Sequence, residues 1–86
     1  MDLHFKKSFQ KKYNKLDLKT RKKVDKAVNK FIDDPFDISL KNHPLRGSMK
    51  NFRAISVTSD IRIIIEEFEN YTVVFLVDVG THNQVY

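Results

Sequence analysis

The chain has 86 residues, a formal net charge of +5 and no cysteine. This length is that of one domain, and we expect residues 1–86 to form it. The lack of cysteine excludes a disulfide, a thiol nucleophile and a thiolate zinc site. No apolar run approaches the roughly 18 residues of a membrane span, and residues 1–7 lack the apolar stretch of a secretory signal. We therefore expect a soluble cytoplasmic protein.

The charge is distributed unevenly along the chain. Residues 1–35 carry 11 basic and 5 acidic side chains, and residues 36–62 carry 5 basic and 2 acidic ones. Residues 63–86 carry 4 acidic side chains and no basic one. A basic front followed by an acidic end predicts a single surface that meets a polyanion. The same charges are typical of lysines that merely solvate helices, so charge alone leaves both interpretations open.

Apolar residues at helical spacing predict two helices in the first part of the chain. The stripe of the first helix consists of Phe5, Phe9, Tyr13 and Leu16. Asp17 is a suitable N-cap for the second helix, which should end before Pro35 because proline disfavours a helical residue ahead of it. Because only a residue or two separates the helices, they should form an antiparallel hairpin. The stripe of the second helix consists of Val24, Ala27, Val28, Phe31 and Ile32.

Shorter segments rich in β-branched and aromatic residues predict a sheet. Leu3 and Phe5 favour a first strand, and residues 51–58, 61–68 and 71–79 favour three more, joined by turns at 59–60 and 69–70. The predicted fold is therefore α+β: an N-terminal strand and an antiparallel helical hairpin packed on an antiparallel sheet, in the order β-α-α-β-β-β. Residues 33–50 should form a connector whose apolar side chains pack at the core edge, namely Phe36, Ile38, Leu40 and Leu45.

Polar residues of the second half provide groups for acid–base chemistry on RNA. The three histidines lack a metal-binding spacing and there is no glycine-rich phosphate loop, so we expect neither a metal nor a cofactor. Cleavage of RNA through its own 2′-hydroxyl needs a base, an acid and a cation, which imidazole and guanidinium provide. Taken one at a time, each candidate is more typical of an ordinary turn or surface residue. The candidates are His43, Arg53, Asp60, Arg62, His82 and Tyr86.

Several short motifs, taken in order, resemble the RelE/ParE superfamily of toxins from bacterial type II toxin–antitoxin systems. Residues 43–48 (HPLRGS) are similar to the H-x-L-x-G segment of the YafQ-like branch, and residues 52–53 to an aromatic–Arg pair on the second strand of many members. Asp60 falls where that branch carries an Asp, and residues 62–65 (RIII) resemble a RelE-like strand start. Residues 80–86 (GTHNQVY) resemble the terminal G-T/S-H-x-x-x-F of the branch, with the final tyrosine of RelE. The resemblance covers essentially the full chain and is nearest to the YafQ-like and RelE-like mRNA interferases.

This resemblance implies a RelE-like fold and a ribosome-dependent endoribonuclease that cleaves messenger RNA without metal and so inhibits translation. The implied partners are a cognate antitoxin protein, the ribosome with its ribosomal RNA, and messenger RNA, without a membrane. The implied catalytic residues are His43, Asp60, Arg62, His82 and Tyr86, with the two histidines as general base and acid. The implied phosphate or RNA contacts are Arg46, Lys50 and Arg53. The residues implied to dock on ribosomal RNA are Lys11, Lys12, Lys15, Lys19, Lys22 and Lys23.

Two other functions remain open from the sequence. A non-catalytic inhibitor of DNA gyrase, like ParE, would share the fold, but it would need neither His82 nor Tyr86. A decayed toxin that only binds RNA is favoured by Ser56, which stands where YafQ-like members carry a further His. A serine hydroxyl does not exchange protons at neutral pH as imidazole does.

Overall fold

The computed structural model describes residues 1–47 and 51–86 and arranges them as a five-stranded sheet with the first two helices packed on one face. The strand order is β1-β5-β4-β3-β2. No helix within these two ranges is long and apolar enough to cross a membrane. The strands are β1 (Asp2–Phe5), β2 (His43–Pro44), β3 (Phe52–Ser56), β4 (Ile61–Phe68) and β5 (Val73–Thr81). The helices are α1 (Lys7–Lys15), α2 (Leu18–Asp33) and α3 (His82–Val85), with a 3-10 turn at Ile38–Leu40.

The predicted helical hairpin is confirmed. The backbone N–H of Thr20 donates to the carboxylate of Asp17 at 2.7 Å, so Asp17 caps α2 as predicted. Because this hydrogen bonding favours the charged carboxylate, it lowers the pKa of Asp17 below its ordinary value. At the other end, α2 stops at Asp33, ahead of Pro35. Both ends of α2 are therefore determined by residues next to them, namely Asp17 and Pro35.

The α+β class is confirmed, but the sheet is mixed rather than purely antiparallel. β1 pairs in parallel with β5, whereas the other neighbouring strands are antiparallel. β1 covers only the first part of the β5 edge, and α1 covers the next part. The Ser8 hydroxyl donates to the Val77 carbonyl, and the Lys12 ammonium lies 2.9 Å from the Asp78 carboxylate. This stretch of β5 is therefore shielded from pairing with another strand.

One face of the sheet forms the core with the helices. Phe31, Ile63 and Leu76 are completely buried. Because successive side chains of a strand point to opposite faces, Arg62 and Ile64 lie on the other face, away from the helices. That second face is called the open face below. The buried cluster under the helices consists of Phe9, Val24, Ala27, Phe31, Leu40, Ile55, Ile63, Ile65, Val74, Leu76 and Val79.

The prediction that four connector residues pack at the core edge is wrong for two of them. Phe36 is 60% exposed and Ile38 is 92% exposed, whereas Leu40 is buried and Leu45 is half-buried. Ile38 and Leu40 begin and end the 3-10 turn. A 3-10 helix has three residues per turn, so these two side chains point in different directions and only one of them faces the core.

The turn between β4 and β5 is longer than predicted. Glu69, Asn70 and Tyr71 all have positive φ values of 52°, 57° and 67°, and β5 begins only at Val73. Tyr71 therefore belongs to the turn and not to the strand. Its ring packs edge-on against Phe31, with 5.9 Å between the ring centroids. The turn is thereby anchored in the core.

Candidate active site

A cavity of about 550 Å³ opens where β2, β4 and α3 meet. Four of the five predicted catalytic residues line it, although they lie far apart in the sequence. Arg46, predicted to contact phosphate, also contributes to the described wall. The full set of described lining residues is His43, Pro44, Leu45, Arg46, Arg62, His82 and Tyr86.

The two ring nitrogens of His43 have different partners. Nδ1 lies 2.8 Å from the carbonyl oxygen of Lys41. Because a carbonyl can only accept, Nδ1 carries the proton, and Nε2 of the neutral ring presents a lone pair. The hydroxyl of Tyr86 lies 3.4 Å from Nε2 and is oriented to donate to it. His43 therefore presents a proton acceptor to the cavity.

The short helix α3 brings His82 and Tyr86 to the cavity. It begins with a capping box, in which the backbone N–H of Thr81 donates to Oε1 of Gln84 at 2.8 Å. The helix folds back closely over Gly80, where an added Cβ would lie 2.6 Å from that same Oε1 atom. Glycine is therefore needed for this close return of the chain. The rings of His82 and Tyr86 pack edge-on, with 4.4 Å between centroids.

The environment of Tyr86 keeps its phenol neutral. Partial burial raises the pKa of Tyr86 above the ordinary value of 10.0, and the positive charge of Arg62 opposes this only partly. The hydroxyl is therefore a donor near neutral pH and cannot act as the base. The side chain is still 48% exposed, which leaves ring surface on which an RNA base can stack.

Arg62 is held at the cavity by backbone carbonyls. In the sheet register it lies between Ser56 of β3 and Gly80 of β5. Its Nη1 atom donates to the carbonyl oxygens of Thr58 at 2.6 Å and Ile61 at 3.3 Å. A guanidinium has further donors, so the group remains able to bind phosphate oxygens. Ser56 is the direct cross-strand neighbour of Arg62 and supplies a hydroxyl there instead of an imidazole.

Three other predicted residues are not brought into the described wall. Asp60 is exposed in the turn between β3 and β4. Arg53 pairs with Ile65, so it lies on the helix-facing side of the sheet, where its Nε donates to Oδ1 of Asn42 at 2.6 Å. Lys50 lies outside the described residues. The structure therefore separates Arg53 from Arg62 by the thickness of the sheet.

The predicted docking lysines lie on α1 and α2. Lys12 differs from the rest because its ammonium pairs with Asp78 and the side chain is half-buried. This ion pair weakens the attraction between the Lys12 ammonium and a polyanion. The other five are exposed: Lys11, Lys15, Lys19, Lys22 and Lys23.

The sequence interpretation missed Asn42, which precedes His43 and forms hydrogen bonds to three other segments. It contacts Arg53, the Pro35 carbonyl and the Tyr71 hydroxyl. The sequence did contain a signal for Asn42. An asparagine next to a candidate base can support that base, since its amide group both donates and accepts hydrogen bonds. Its partners could not be identified, because one of them lies 29 residues away in a turn that the sequence did not predict correctly.

Comparisons with known proteins give a consistent picture. A family model described as the bacterial toxin of type II toxin–antitoxin system, YafQ, matches residues 1–86. A comparison with curated protein sequences found no match. Among solved structures, a metal-bound toxin from Helicobacter pylori is 27% identical, covers 100% of this chain and 99% of that chain, and has a TM-score of 0.70. YafQ from E. coli strain BL21(DE3) is 21% identical, covers 99% and 97%, and has a TM-score of 0.76.

A more distant structure shares the same fold. The toxin–antitoxin complex RelBE2 from Mycobacterium tuberculosis contains a chain that is 16% identical, covers 94% of this chain and 96% of that chain, and has a TM-score of 0.76. The family model matches the chain from its first residue to its last. The chain therefore belongs to the YafQ family and is a toxin of a bacterial type II toxin–antitoxin system.

Proposed function

We propose that this toxin is an endoribonuclease that cleaves messenger RNA at the ribosome and thereby inhibits translation. The observation that carries the proposal is His43, whose Nδ1 contacts the Lys41 carbonyl and whose Nε2 faces a cavity shared with Arg62, His82 and Tyr86. The cavity thus combines a proton acceptor, a second imidazole and a cation, which are the groups that cleavage through the 2′-hydroxyl requires. A toxin that acts only by binding DNA gyrase needs none of these groups.

In the proposed reaction, RNA supplies its own nucleophile. Nε2 of His43 accepts the proton of the 2′-hydroxyl as the 2′ oxygen bonds to phosphorus. The bond from phosphorus to the 5′ oxygen breaks, and protonated His82 delivers a proton to that leaving oxygen. The products are a 2′,3′-cyclic phosphate and a 5′-hydroxyl end. Arg62 stabilises the negative charge of the phosphorane, and Arg46 binds an adjacent phosphate.

Tyr86 and Asp60 have supporting parts in this proposal. The Tyr86 hydroxyl leaves Nε2 of His43 when the 2′-hydroxyl arrives, and its ring then stacks on a base. Asp60 lies in the same turn as Thr58, and its backbone N–H donates to the Thr58 hydroxyl at 3.2 Å. The Thr58 carbonyl in turn accepts from Arg62. We therefore assign Asp60 to the support of this turn and not to proton transfer.

We propose that the reaction needs no metal. The Helicobacter pylori relatives were solved as a metal-bound toxin and as a copper-bound mutant toxin. In this chain, no three His, Asp or Glu side chains within residues 1–47 and 51–86 are grouped as metal ligands. Acid–base catalysis by two imidazoles does not require a metal, and cleavage by metal-stripped toxin tests this point directly.

We further propose two macromolecular partners. E. coli YafQ was crystallised in complex with DinJ, and the Mycobacterium tuberculosis relative in the RelBE2 toxin–antitoxin complex. By analogy, a cognate antitoxin binds this toxin and blocks the cavity. The exposed lysines of α1 and α2 contact ribosomal RNA in the cytoplasm, and such contacts weaken as salt increases because counterions are released on binding.

The direct test uses purified toxin that has been stripped with EDTA and transferred to metal-free buffer before it is added to a translating ribosome system. We expect cleavage of the ribosome-bound messenger, with 5′-hydroxyl and cyclic phosphate ends. The variant His43→Gln, which keeps a polar side chain without a base, should lose about 10²- to 10⁴-fold in cleavage rate. Free messenger without ribosomes, at the same toxin concentration, is the matched control.

Three results would count against the proposal. Products with 5′-phosphate ends would indicate attack by water instead of the 2′-hydroxyl. Activity that appears only after copper or zinc is restored would contradict a metal-free reaction. Intact messenger combined with stalled DNA gyrase would favour the ParE-like function.

A further inference from the structure

The side chain that precedes His43 is tied to three separate segments of the chain. Nδ2 of Asn42 donates to the Pro35 carbonyl and to the Tyr71 hydroxyl, both at 3.0 Å. Its Oδ1 accepts from Nε of Arg53 at 2.6 Å. Asn42 thereby joins the segment after α2, the turn between β4 and β5, and strand β3. Neighbouring residues of an extended strand point to opposite faces, so these contacts lie behind the strand that carries His43.

The backbone pairing that holds His43 is short. β2 has only two residues, and just beyond it the Leu45 N–H donates to the Phe52 carbonyl at 3.0 Å. Lys41, whose carbonyl accepts from Nδ1 of His43, has a φ of 49°, in the left-handed region that few residues other than glycine adopt. Such a conformation persists only where surrounding contacts determine it. Lys41 is the C-cap of the 3-10 turn, and its N–H donates to the Ile38 carbonyl at 3.3 Å, which supports this conformation from the N-terminal side. The side-chain contacts of Asn42 hold the chain on the C-terminal side of Lys41.

The partners of Asn42 are themselves firmly held. The ring of Tyr71 packs edge-on against Phe31, which is completely buried, and against Phe36 at a centroid distance of 5.2 Å. The guanidinium of Arg53 lies 5.7 Å from the centroid of the Phe36 ring. Through Tyr71, the hydrogen bonds of Asn42 therefore connect to the buried core. These bonds hold the Asn42 side chain in one position.

We propose that Asn42 is a positioning residue for His43. By fixing the segment that contains Lys41, Asn42 keeps the Lys41 carbonyl against Nδ1 and so holds His43 in the tautomer whose Nε2 faces the cavity. Arg53 acts through Asn42 in this account and not through contact with RNA. The effect on RNA cleavage rests on the proposed function, whereas the effect on His43 itself does not.

The test measures the ring-nitrogen NMR shifts of His43 in the free toxin, which requires neither RNA nor ribosomes. In the wild-type protein we expect one protonated and one unprotonated nitrogen with well-separated shifts. In Asn42→Ala, and to a smaller extent in Tyr71→Phe, the two shifts should move toward each other as both tautomers become populated. The matched control is Tyr13→Phe, which removes a tyrosine hydrogen bond to Asp25, 2.6 Å long, from the helical hairpin.

Cleavage of ribosome-bound messenger provides the second readout. Asn42→Ala should lower kcat by up to about 10²-fold, the scale expected when a reacting group is misplaced by roughly 1 Å, with little change in KM. Asn42→Asp keeps the acceptor for Arg53 and should recover part of this loss. Tyr13→Phe should change neither readout.

The outcomes are distinguishable. Unchanged His43 shifts in both Asn42→Ala and Tyr71→Phe would overturn the positioning role. Should Asn42→Ala fail to fold, Tyr71→Phe decides alone. If the shifts respond but wild-type toxin cleaves no RNA, the positioning role stands and the proposed function fails.

Discussion

Each ring nitrogen of His43 has a different kind of neighbour. Nδ1 donates to a backbone carbonyl, that of Lys41, at 2.8 Å, while Nε2 accepts from the side chain of Tyr86 at 3.4 Å. The shorter contact is to the main chain, and we expect it to stay in place when substrate binds. The longer contact is the one that a 2′-hydroxyl could replace. In the proposed reaction, Tyr86 of the free toxin thus occupies the position that the RNA nucleophile takes.

Two substitutions of Tyr86 separate the part of its hydroxyl from that of its ring. Tyr86→Phe keeps the ring beside His82 and loses only a hydrogen bond that the proposed reaction breaks when the 2′-hydroxyl arrives, so cleavage should change by no more than about tenfold. Tyr86→Ala also removes base stacking, worth about 1–3 kcal/mol, and should cost about ten- to hundred-fold more. Initial rates on ribosome-bound messenger check both expectations. Equal losses in the two variants would contradict stacking by the ring.

The residues of the cavity were predictable where chemistry restricts the choice of side chain. Few groups other than imidazole transfer protons near neutral pH, so His43 and His82 stand out in a chain with three histidines. Arg53 illustrates the limit. Its side of the sheet depends on the strand register, which pairs it with Ile65, and no local pattern specifies that register.

The position of α3 depends on the glycine that precedes it in β5. Gly80→Ala would place a Cβ 2.6 Å from Oε1 of Gln84 and 3.1 Å from its Cβ. The Gln84 carboxamide would swing aside and give up its bond to the Thr81 N–H, and the Gln84 Cβ would have to give by a few tenths of an ångström, which shifts α3 with His82 and Tyr86. We expect cleavage to fall by less than about 10²-fold, the loss expected for a displacement of about 1 Å.

The control for Gly80→Ala is Gly47→Ala, where no atom lies within 4 Å of the added Cβ but φ is +81°. This control introduces backbone strain without touching α3. Crosslinking or fluorescence quenching between Tyr86 and another residue of the cavity wall would report the displacement of α3 directly. Full cleavage activity in Gly80→Ala despite a measured displacement of α3 would show that the position of α3 does not matter.

The cap of α2 provides a prediction about pH. The pKa of Asp17 is below its ordinary value of 3.8 because the folded protein hydrogen-bonds the carboxylate. Its contribution to stability is therefore present above that value and is lost as pH falls through the lower folded pKa. Asp17→Asn caps equally well but does not titrate. Thermal melts should coincide near neutral pH, and below about pH 4 the wild type should lose more stability. Parallel losses would contradict the cap.

Elements with strong local signals were predicted well. β4 spans residues 61–68 as predicted, because it is apolar throughout and is bounded by clear turns. The partner of β1 was not predictable, since a four-residue strand does not specify whether it pairs in parallel. The turn after β4 was predicted too short, because it uses three consecutive residues with positive φ and none of them is glycine.

On the scale of the whole molecule, the cavity and the basic helices belong to different parts of the structure. The helices pack under one face of the sheet, whereas Arg62 lies on the open face. Residues 1–35 hold 11 of the 16 basic side chains, so most of the positive charge belongs to the strand and helices that precede the connector. We therefore expect that the proposed docking on RNA and the proposed cleavage of RNA can be altered separately.

Removing two exposed lysines tests the docking contribution. Lys11→Gln with Lys22→Gln should weaken binding to ribosomes and lower the slope of binding against salt by about 2, or about 1 for each lost phosphate contact. The control Asn70→Asp with Thr72→Asp makes the same net change in charge in the turn between β4 and β5. Ribosome sedimentation over a range of salt concentrations measures both. An equal effect of the two double variants would indicate dependence on net charge alone.

The most direct test of the account maps the 5′ ends of messenger RNA by primer extension in cells that express the toxin. Wild-type toxin should produce new 5′ ends within translated regions, in frame with the codons. The variant His82→Ala with Tyr86→Ala, expressed at the same level, should produce none of them, because it removes the proposed acid and the stacking ring. New ends that persist unchanged in this variant, or growth arrest by wild-type toxin with intact messages, would contradict the proposed site and reaction.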